Sequence, residues 1–394
     1  MDLEHLPLES IGETELRGLI EAGVAEQVNI DYKQDRYGGR EQDRKEFLKD
    51  ATSFANTQGG HLIIGMTEKE GIPTRLSPLT GFDTHAELSR LESMLRDSAQ
   101  PRLLGVQSRV IQVTGGSVIL LRIPRSFNSP HRVGYQGWNK FFVRNSAGAH
   151  EASVDELREL FLLLTQVAER VRQFRSQRLE LLQTGSAARR VDLRPGVVLH
   201  VVPLAAASRA LTIDVGAAYD DCAPFVPIGG QHCHRYFNFD GMLTTTGDDE
   251  SAQSVPAFCQ VFRSGCVETA RGYSGAASAQ AGRLHVPRQE EMIVQHTRRI
   301  VSGLARLGVA PPFVVMPTLM GVKGLKPSWK HAEFDPPLPF ERDTLVLPEL
   351  LLQSSAFPDG WADAFKPVFD PIWQGAGVRR SPGFDGNGKW TGHS

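Results

Sequence analysis

The segment from residue 41 to residue 66 constrains the fold of this chain more than any other. Its first part, EQDRKEFLKDATSFAN, has apolar side chains at helical spacing, which predicts an amphipathic helix over 41–56. Those apolar positions are Phe47, Leu48, Ala51, Phe54 and Ala55. Gly59 and Gly60 end the helix, because glycine adopts the left-handed conformation common after helix ends. The run HLIIGM then predicts a short buried strand, so the segment predicts a helix packed on a sheet.

Three acidic residues lie around this segment. Glu26 and Asp31 stand five residues apart in AEQVNIDYK, and Glu68 follows the HLIIGM strand. Lys33 lies two residues after Asp31. Carboxylate oxygens at strand ends are hard ligands of the kind that Mg²⁺ or Mn²⁺ prefers. The residues predict a site for a divalent metal beside a phosphodiester, and the simpler alternative is a set of solvated carboxylates.

The rest of the first half alternates helices and strands. The patterns predict helices over 12–22 and 84–98, a hairpin over 105–124 and a strand in KFFVRNSA. Ser153 and Glu156 have the spacing of a capping box, which predicts the start of a long helix that runs to about Leu182. Its predicted apolar stripe is Leu157, Leu160, Phe161, Leu164, Val167 and Val171.

The second half has apolar, strand-like runs with one clear helix at 288–307. Pro367 and Pro371 argue against a further helix near 360–375, and the tail from residue 379 predicts loose order. We therefore predict an α+β protein with three parts. They are a domain at 1–165 with a mixed sheet and flanking helices, an arginine-rich helical connector at 166–195, and a mixed α+β domain at 196–394.

Composition excludes several classes of protein. No apolar run reaches the length of a membrane span, and the polar start does not predict a targeting segment, so a cytoplasmic protein is expected. No phosphate-binding glycine loop occurs, so no nucleotide cofactor is predicted. The spacing of Cys222 and the HCH run at 232–234 argues against zinc. Because the net charge is −2, any nucleic-acid binding needs a local basic patch.

The first half resembles a known family. The resemblance rests on Glu26, IDYK at 30–33, FLKDATSFANTQGGHLIIGM at 47–66, SPH at 129–131 and FFVRNSAG at 141–148. This order is similar to the Schlafen AlbA-type domain family over roughly residues 10–165. Residues 236–270 also resemble a segment that follows this domain in many bacterial members, with no activity attached.

The resemblance implies association with nucleic acid. For Schlafen members it implies metal-dependent cutting of structured RNA, tRNA especially. It assigns Glu26, Asp31 and Glu68 to the family's three acidic site positions, with Asp and Glu exchanged at the last two. Each exchange changes the reach of the carboxylate by about one methylene, roughly 1.3–1.5 Å.

Basic residues are the candidate phosphate contacts. Arg144, with His131 and Arg132 nearby in sequence, predicts a phosphate contact, and the alternative for Arg144 is an ion pair with a site carboxylate. For Lys33, the alternative to neutralising a phosphate is an ion pair with Asp31 or Asp35. Seven arginines between 170 and 194, including Arg170, Arg172 and Arg175, predict either a track for a nucleic-acid backbone or a solvated helix face.

These observations favour a metal-dependent endoribonuclease acting on structured, tRNA-like RNA rather than DNA. A regulated role such as phage defence follows by analogy only. The first alternative is a non-catalytic nucleic-acid-binding module, for instance a transcriptional regulator. The second is a structural subunit whose second domain forms a homo-oligomer or senses a trigger.

Overall fold

The protein folds into two compact units, Met1–Gln166 and Val167–Ser394, which we call unit 1 and unit 2. The computed structural model describes residues 3, 6, 8–207, 211–246, 254–273, 281–328 and 337–393. Both units combine helices with sheets, which confirms the predicted α+β class.

Unit 1 contains three complete α-helices, a short 3₁₀ helix (Leu8–Ser10) and ten strands among its described residues. Its helices are α1 (Glu13–Glu21), α2 (Glu41–Asn56) and α3 (Thr84–Ser98). Its strands are β1 (Ile30–Lys33), β2 (Gly59–Ile64), β3 (Met66–Lys69), β4 (Ile72–Leu76), β5 (Ala99–Gln100), β6 (Gln107–Val113), β7 (Gly116–Pro124), β8 (Arg132–Tyr135), β9 (Trp138–Asn145) and β10 (Gly148–Glu151). Helix α4 (Val154–Thr184) contains the boundary between the units.

The first sheet of unit 1 has the strand order β1-β2-β7-β6, with β1 and β2 parallel and joined through α2. The apolar stripe of α2, including Phe47 and Phe54, is fully buried, as predicted. Gly60 has φ +155°, and a Cβ there would lie 2.4 Å from the carbonyl oxygen of Asn29. Only glycine therefore allows β2 to begin against the chain that leads into β1.

The second sheet of unit 1 has the order β10-β9-β8-β5 and is antiparallel throughout. The side chain of Asn56, at the end of α2, links the helix to this sheet. Its Nδ2 donates to the carbonyl oxygens of His131 and Phe142 at 3.0 and 2.9 Å, and its Oδ1 accepts from the backbone N–H of His131 at 2.7 Å.

Unit 2 is built on one large antiparallel sheet. The strands of unit 2 are β11 (Gly196–Pro203), β12 (His234–Asn238), β13 (Gly241–Thr245), β14 (Ala257–Phe262), β15 (Val267–Gly272), β16 (Arg283–Leu284), β17 (Phe313–Met320), β18 (Lys326–Pro327), β19 (Leu345–Val346) and β20 (Leu350–Leu352). Strands β16 and β18 pair only with each other, outside the large sheet. Its further helices are α5 (Leu204–Ala207), α6 (Val215–Asp220), α7 (Val286–Arg306) and α8 (Lys366–Gln374).

The order of the large sheet is β12-β13-β14-β15-β11-β17-β19, and β20 also pairs with β17. Strand β12 therefore forms one edge of the sheet. The apolar face of α7 contributes Ile293, Ile300 and Leu304 to the main core of this unit. Within the ranges that are described, no helix has the combination of length and apolar character needed to cross a membrane.

Three sequence predictions need correction. Phe161 is 62% exposed rather than part of a buried stripe on α4, and the side chain of Leu164 lies outside the described residues. Helix α8 forms with Pro367 in the first turn, where a backbone N–H has no partner within the helix, and it also contains Pro371 in its interior. The tail is also packed: Glu290 on α7 accepts hydrogen bonds from Ser381 and His393 at 2.8 and 2.6 Å.

Candidate functional site

The acidic residues of unit 1 lie on and beside β1. Asp31 and Lys33 are two residues apart on this strand, so their side chains lie on the same face. Glu26 precedes the strand, and Glu68 lies on β3. Gly71 joins the two glutamates: its carbonyl oxygen accepts from the N–H of Glu26 at 2.6 Å, and its N–H donates to Oε2 of Glu68 at 2.6 Å.

Glu26 is half-buried, and its Oε1 accepts a hydrogen bond from the N–H of Tyr32 at 2.8 Å. Burial raises the pKa of this carboxyl, and the negative charges of Asp31 and Glu68 raise it further. Asp31 and Glu68 therefore both lie within electrostatic range of Glu26.

Asp31 is buried between two cations. Its Oδ1 lies 2.5 Å from Nζ of Lys33, and its Oδ2 lies 2.7 Å from Nη2 of Arg144. Burial alone would raise the pKa of Asp31, but the charges of Lys33 and Arg144 outweigh burial and hold this pKa below its ordinary value. The charge of Asp31 is therefore already compensated within the protein.

This geometry does not form a three-carboxylate metal site. Among the residues that the structure describes, no group of three or more His, Cys, Asp or Glu side chains is arranged to hold a metal ion. The physical reason lies at Asp31, whose two oxygens both accept from cations. Glu26 and the exposed Glu68 are the two predicted ligands that remain accessible.

Asp50 on α2 extends the charged cluster. Its carboxylate accepts from the hydroxyl of Tyr37 at 2.7 Å and lies 3.6 Å from Nζ of Lys33 and 3.8 Å from Nζ of Lys49. Burial raises the pKa of Asp50 above its ordinary value. Two aspartates thus hold Lys33 in place, and its pKa is raised because their charges outweigh the effect of burial.

Arg144 forms an ion pair with Asp31, which was the predicted alternative to a phosphate contact. The side chain is buried, and its guanidinium carbon lies 4.1 Å from the centroid of the Phe54 ring. Its Nε and Nη1 have no hydrogen-bond partner among the described residues. A direct phosphate contact by Arg144 does not fit this burial.

His131 and Arg132 differ in exposure. His131 is fully buried, its Nδ1 lies 2.6 Å from the carbonyl oxygen of Pro101, and burial lowers its pKa. The predicted role of His131 at a nucleic-acid surface is therefore wrong. Arg132 on β8 is partly exposed and donates to Oε1 of Gln100 at 2.5 Å, so its phosphate contact stays a prediction.

The arginines of α4 also divide by burial. Arg170 and Arg172 are exposed; Arg170 donates to the carbonyl oxygen of Ala207 at 3.0 Å. Arg175 is only 5% exposed and donates to the carbonyl oxygens of Pro317 and Leu347 at 2.5 and 3.0 Å. Burial lowers the pKa of Arg175 to about 10. The prediction that Arg175 follows a nucleic-acid backbone is wrong, because the side chain is part of the interior of unit 2.

A set of cations that was not singled out in the sequence lies on the polar side of α2. We call Arg44, Lys45 and Lys49 the α2 basic face. Nη1 of Arg44 lies 3.3 Å from the hydroxyl of Tyr135, and Nζ of Lys45 lies 5.5 Å from the centroid of the Trp138 ring. The signal was present in DRKEFLK, where three basic residues flank the apolar pair Phe47 and Leu48.

Comparisons with known proteins agree with the first-half resemblance. Residues 26–153 match the family model described as "Schlafen, AlbA_2", which confirms the resemblance for that part of the chain. No curated protein matches the sequence. The match supports a function related to nucleic acid.

Two solved structures are similar over part of the chain. One is the DIP2311 protein from Corynebacterium diphtheriae, with 16% identity and a TM-score of 0.28, over 38% of this chain and 28% of that one. The other is the N-terminal domain of an ATP-dependent DNA helicase RecG-related protein from Nitrosomonas europaea. It has 20% identity and a TM-score of 0.28, over 36% of this chain and 94% of that one.

Proposed function

We propose that this chain, whose residues 26–153 match the Schlafen AlbA_2 family, is a nucleic-acid-binding protein that holds structured RNA through unit 1. The observation that carries the proposal is the α2 basic face, which lies beside the rings of Tyr135 and Trp138. Lys49 shares Asp50 with Lys33, so the cations continue from α2 to β1.

The chemistry of this surface suits a phosphate backbone. Lysine and arginine side chains that neutralise phosphates release counterions, and this release supplies most of the sequence-independent affinity. Double-stranded RNA is recognised mainly by its shape and backbone, which a row of cations on a rigid helix can contact. The ion pairs Asp31–Arg144 and Asp50–Lys33 would hold Lys33 in place at the β1 end of that row.

Binding of a fluorescein-labelled tRNA pool in EDTA tests the proposal. The double variant Lys45→Ala/Lys49→Ala should bind more weakly. The slope of log K against log salt should become shallower by about 1.8, the value for the loss of two phosphate contacts on a duplex. Arg17→Ala/Arg96→Ala is the matched control, since both side chains are exposed on other helices of unit 1. Wild-type affinity and slope in the α2 variant would refute the proposal.

A metal-dependent endoribonuclease is the second candidate, and one observation favours it. Besides burial, the charges of Asp31 and Glu68 raise the pKa of Glu26, and a nearby divalent cation would relieve this repulsion. Mg²⁺ is often held by one or two carboxylates together with substrate phosphates. Glu26 and Glu68 would be the ligands of Mg²⁺ or Mn²⁺, while Asp31 would keep Lys33 and Arg144 in position.

When bound, such a metal would stabilise charge on the phosphate and activate water. Incubation of a tRNA pool with Mn²⁺ separates the two candidates. Under the second candidate, wild type cleaves and Glu26→Gln does not, whereas Glu159→Gln, an exposed change on α4, cleaves normally. Binding without cleavage in all three proteins would leave the binding module as the function.

A further inference from the structure

A second cationic surface lies in unit 2, on helix α7. Arg298, Arg299 and Arg306 are exposed and line a cleft of about 510 Å³, which we call the arginine cleft. The opposite wall comes from Ala223 and Pro224 of a short 3₁₀ helix. No carboxylate belongs to its lining among the described residues, so the cleft offers positive charge and apolar surface together.

Two observations describe the charge of this cleft. Arg306 is oriented by Asp221, whose Oδ2 lies 2.8 Å from Nη2 of the guanidinium. Buried His296 has its pKa lowered to about 4, chiefly by burial and in part by the positive charges of Arg299 and Arg271. Arg298 and Arg299 therefore supply positive charge that no carboxylate of the described lining compensates, whereas Arg306 is paired with Asp221.

Three planar groups of unit 2 lie one on another, and we call them the aromatic stack. The rings of Tyr219 and Phe237 are stacked with centroids 4.4 Å apart and planes inclined by 17°. The guanidinium carbon of Arg235 lies 4.5 Å from the centroid of the Tyr219 ring. Phe237 remains 56% exposed on the edge strand β12, so planar apolar surface is available to a ligand.

The β12–β13 hairpin adds a further ring. Phe239 at its tip is 95% exposed, and Nε of Arg263 donates to the carbonyl oxygen of Phe239 at 3.0 Å. Such exposure of a phenylalanine has no role in packing the sheet. The tip thus presents a ring and a cation at one place.

The cleft and the stack are joined by one short stretch of chain. Residues 219–237 begin and end at the stacked pair Tyr219 and Phe237, and residues between them line the cleft. Asp221, which orients Arg306, is only two residues from Tyr219. The cleft, the stack and the hairpin tip together carry five arginines (235, 263, 298, 299 and 306), and the nearby chain carries three aspartates (220, 221 and 240), an excess of +2.

We infer that the arginine cleft and the aromatic stack together form a binding surface for single-stranded nucleic acid. Arginines contact its phosphates, and an unpaired base stacks on Phe237 or Phe239. Proteins that bind single strands combine a positive groove with exposed aromatic rings in this way. The inference goes beyond the proposed function, because the surface lies in unit 2 and requires neither the acidic residues nor the α2 basic face.

Fluorescence anisotropy with labelled oligothymidylate in EDTA tests this inference. Arg298→Ala/Arg299→Ala should weaken binding and make the salt slope shallower by about 1.4, the value for two single-strand phosphate contacts. Phe237→Ala/Phe239→Ala should weaken binding about five- to tenfold with little change in slope, because stacking releases no counterions.

Matched controls are available in the chain. Arg379→Ala/Arg380→Ala removes the same charge from exposed positions of unit 2, and Phe161→Ala removes another exposed ring. Both controls should bind as wild type, and all variants should unfold at the wild-type temperature.

Two results would overturn the inference. The first is wild-type binding of oligothymidylate by both test variants. The second is unchanged binding accompanied by loss of a dimer in the phenylalanine variant, which would assign the surface to self-association. Failure of the Lys45→Ala/Lys49→Ala experiment would refute the unit 1 proposal and leave this result unaffected.

Discussion

Nη2 of Arg144 lies 2.7 Å from Oδ2 of Asp31, which precedes it by 113 residues, and the guanidinium also covers the ring of Phe54. The pair connects β9 of one sheet to β1 of the other. Both side chains are nearly inaccessible to water, so the pair lies in a medium where an unpaired charge is costly. Asp31 consequently holds the core of unit 1 together, whatever its role towards a ligand.

Asp31→Asn should destabilise unit 1 by about 3 kcal/mol at neutral pH, because it leaves the buried Arg144 without its counter-charge and Lys33 with Asp50 alone. The folded-state pKa of Asp31 is lowered, so its contribution is present above the unfolded pKa of about 3.9 and is lost as pH falls through the folded value. Urea unfolding of wild type and variant should therefore converge at acidic pH. Asp97→Asn, an exposed change, should show no such convergence; a constant difference for Asp31→Asn would contradict this account.

The local elements of unit 1 could be predicted from sequence because their signals are local. Helix α2 has both an apolar stripe and a following glycine pair, and its bounds agree with the predicted 41–56. The Ser153 capping box also forms, with the N–H of Glu156 donating to Oγ of Ser153 at 3.2 Å. For Arg144, the sequence predicted an ion pair with one of the site carboxylates but not which one. A periodic pattern does not show which strands lie next to each other in the fold.

The sequence could not predict which charged side chains are buried. Arg170, Arg172 and Arg175 look alike along the chain, yet only Arg175 points at the carbonyl groups of Pro317 and Leu347. In the same way, α8 and the tail depend on Glu290, whose three donors lie more than 80 residues away in sequence. Tertiary contacts of this kind override local composition.

Glu268→Gln should destabilise unit 2 by about 3 kcal/mol, because Glu268 is fully buried and compensates Arg178. Its two oxygens accept from Arg178 at 2.7 and 3.0 Å, and Oε2 lies 2.9 Å from Nε2 of His200. Chemical unfolding followed by tryptophan fluorescence measures this loss of stability, since four of the five tryptophans lie in unit 2. Glu349→Gln is the partly exposed control, and equal stability of the two variants would disprove the role of burial.

Gly60→Ala should impair folding of unit 1, because the added Cβ would collide with backbone atoms that cannot move independently. Gly39→Ala is the control, since a Cβ there meets nothing within 4 Å. Circular dichroism melts of both variants compare the two positions, with a lower melting temperature expected for Gly60→Ala alone. Equal melting temperatures would show that β2 can shift to accept a side chain.

Ser153→Ala should cost about 1 kcal/mol, the usual value for losing an N-cap side chain. The hydroxyl accepts from the N–H of Glu156, and the Glu156 carboxylate accepts in return from the N–H of Ser153 at 2.8 Å. Loss of helicity at the start of α4 can be followed by hydrogen exchange of residues 154–157. Protection equal to that of wild type would mean that the cap contributes nothing.

Asn56 is the last residue of the SFAN run, and both its side-chain Nδ2 and Oδ1 form hydrogen bonds with the backbone of His131 or Phe142. Asn56 therefore has a structural role, since it links α2 to the second sheet of unit 1. The candidate site residues lie outside this motif. In this chain, the SFAN run and the glycine pair therefore belong to the scaffold. The accessible carboxylates Glu26 and Glu68 lie outside these hydrogen bonds, so the scaffold and the candidate chemistry depend on separate residues of unit 1.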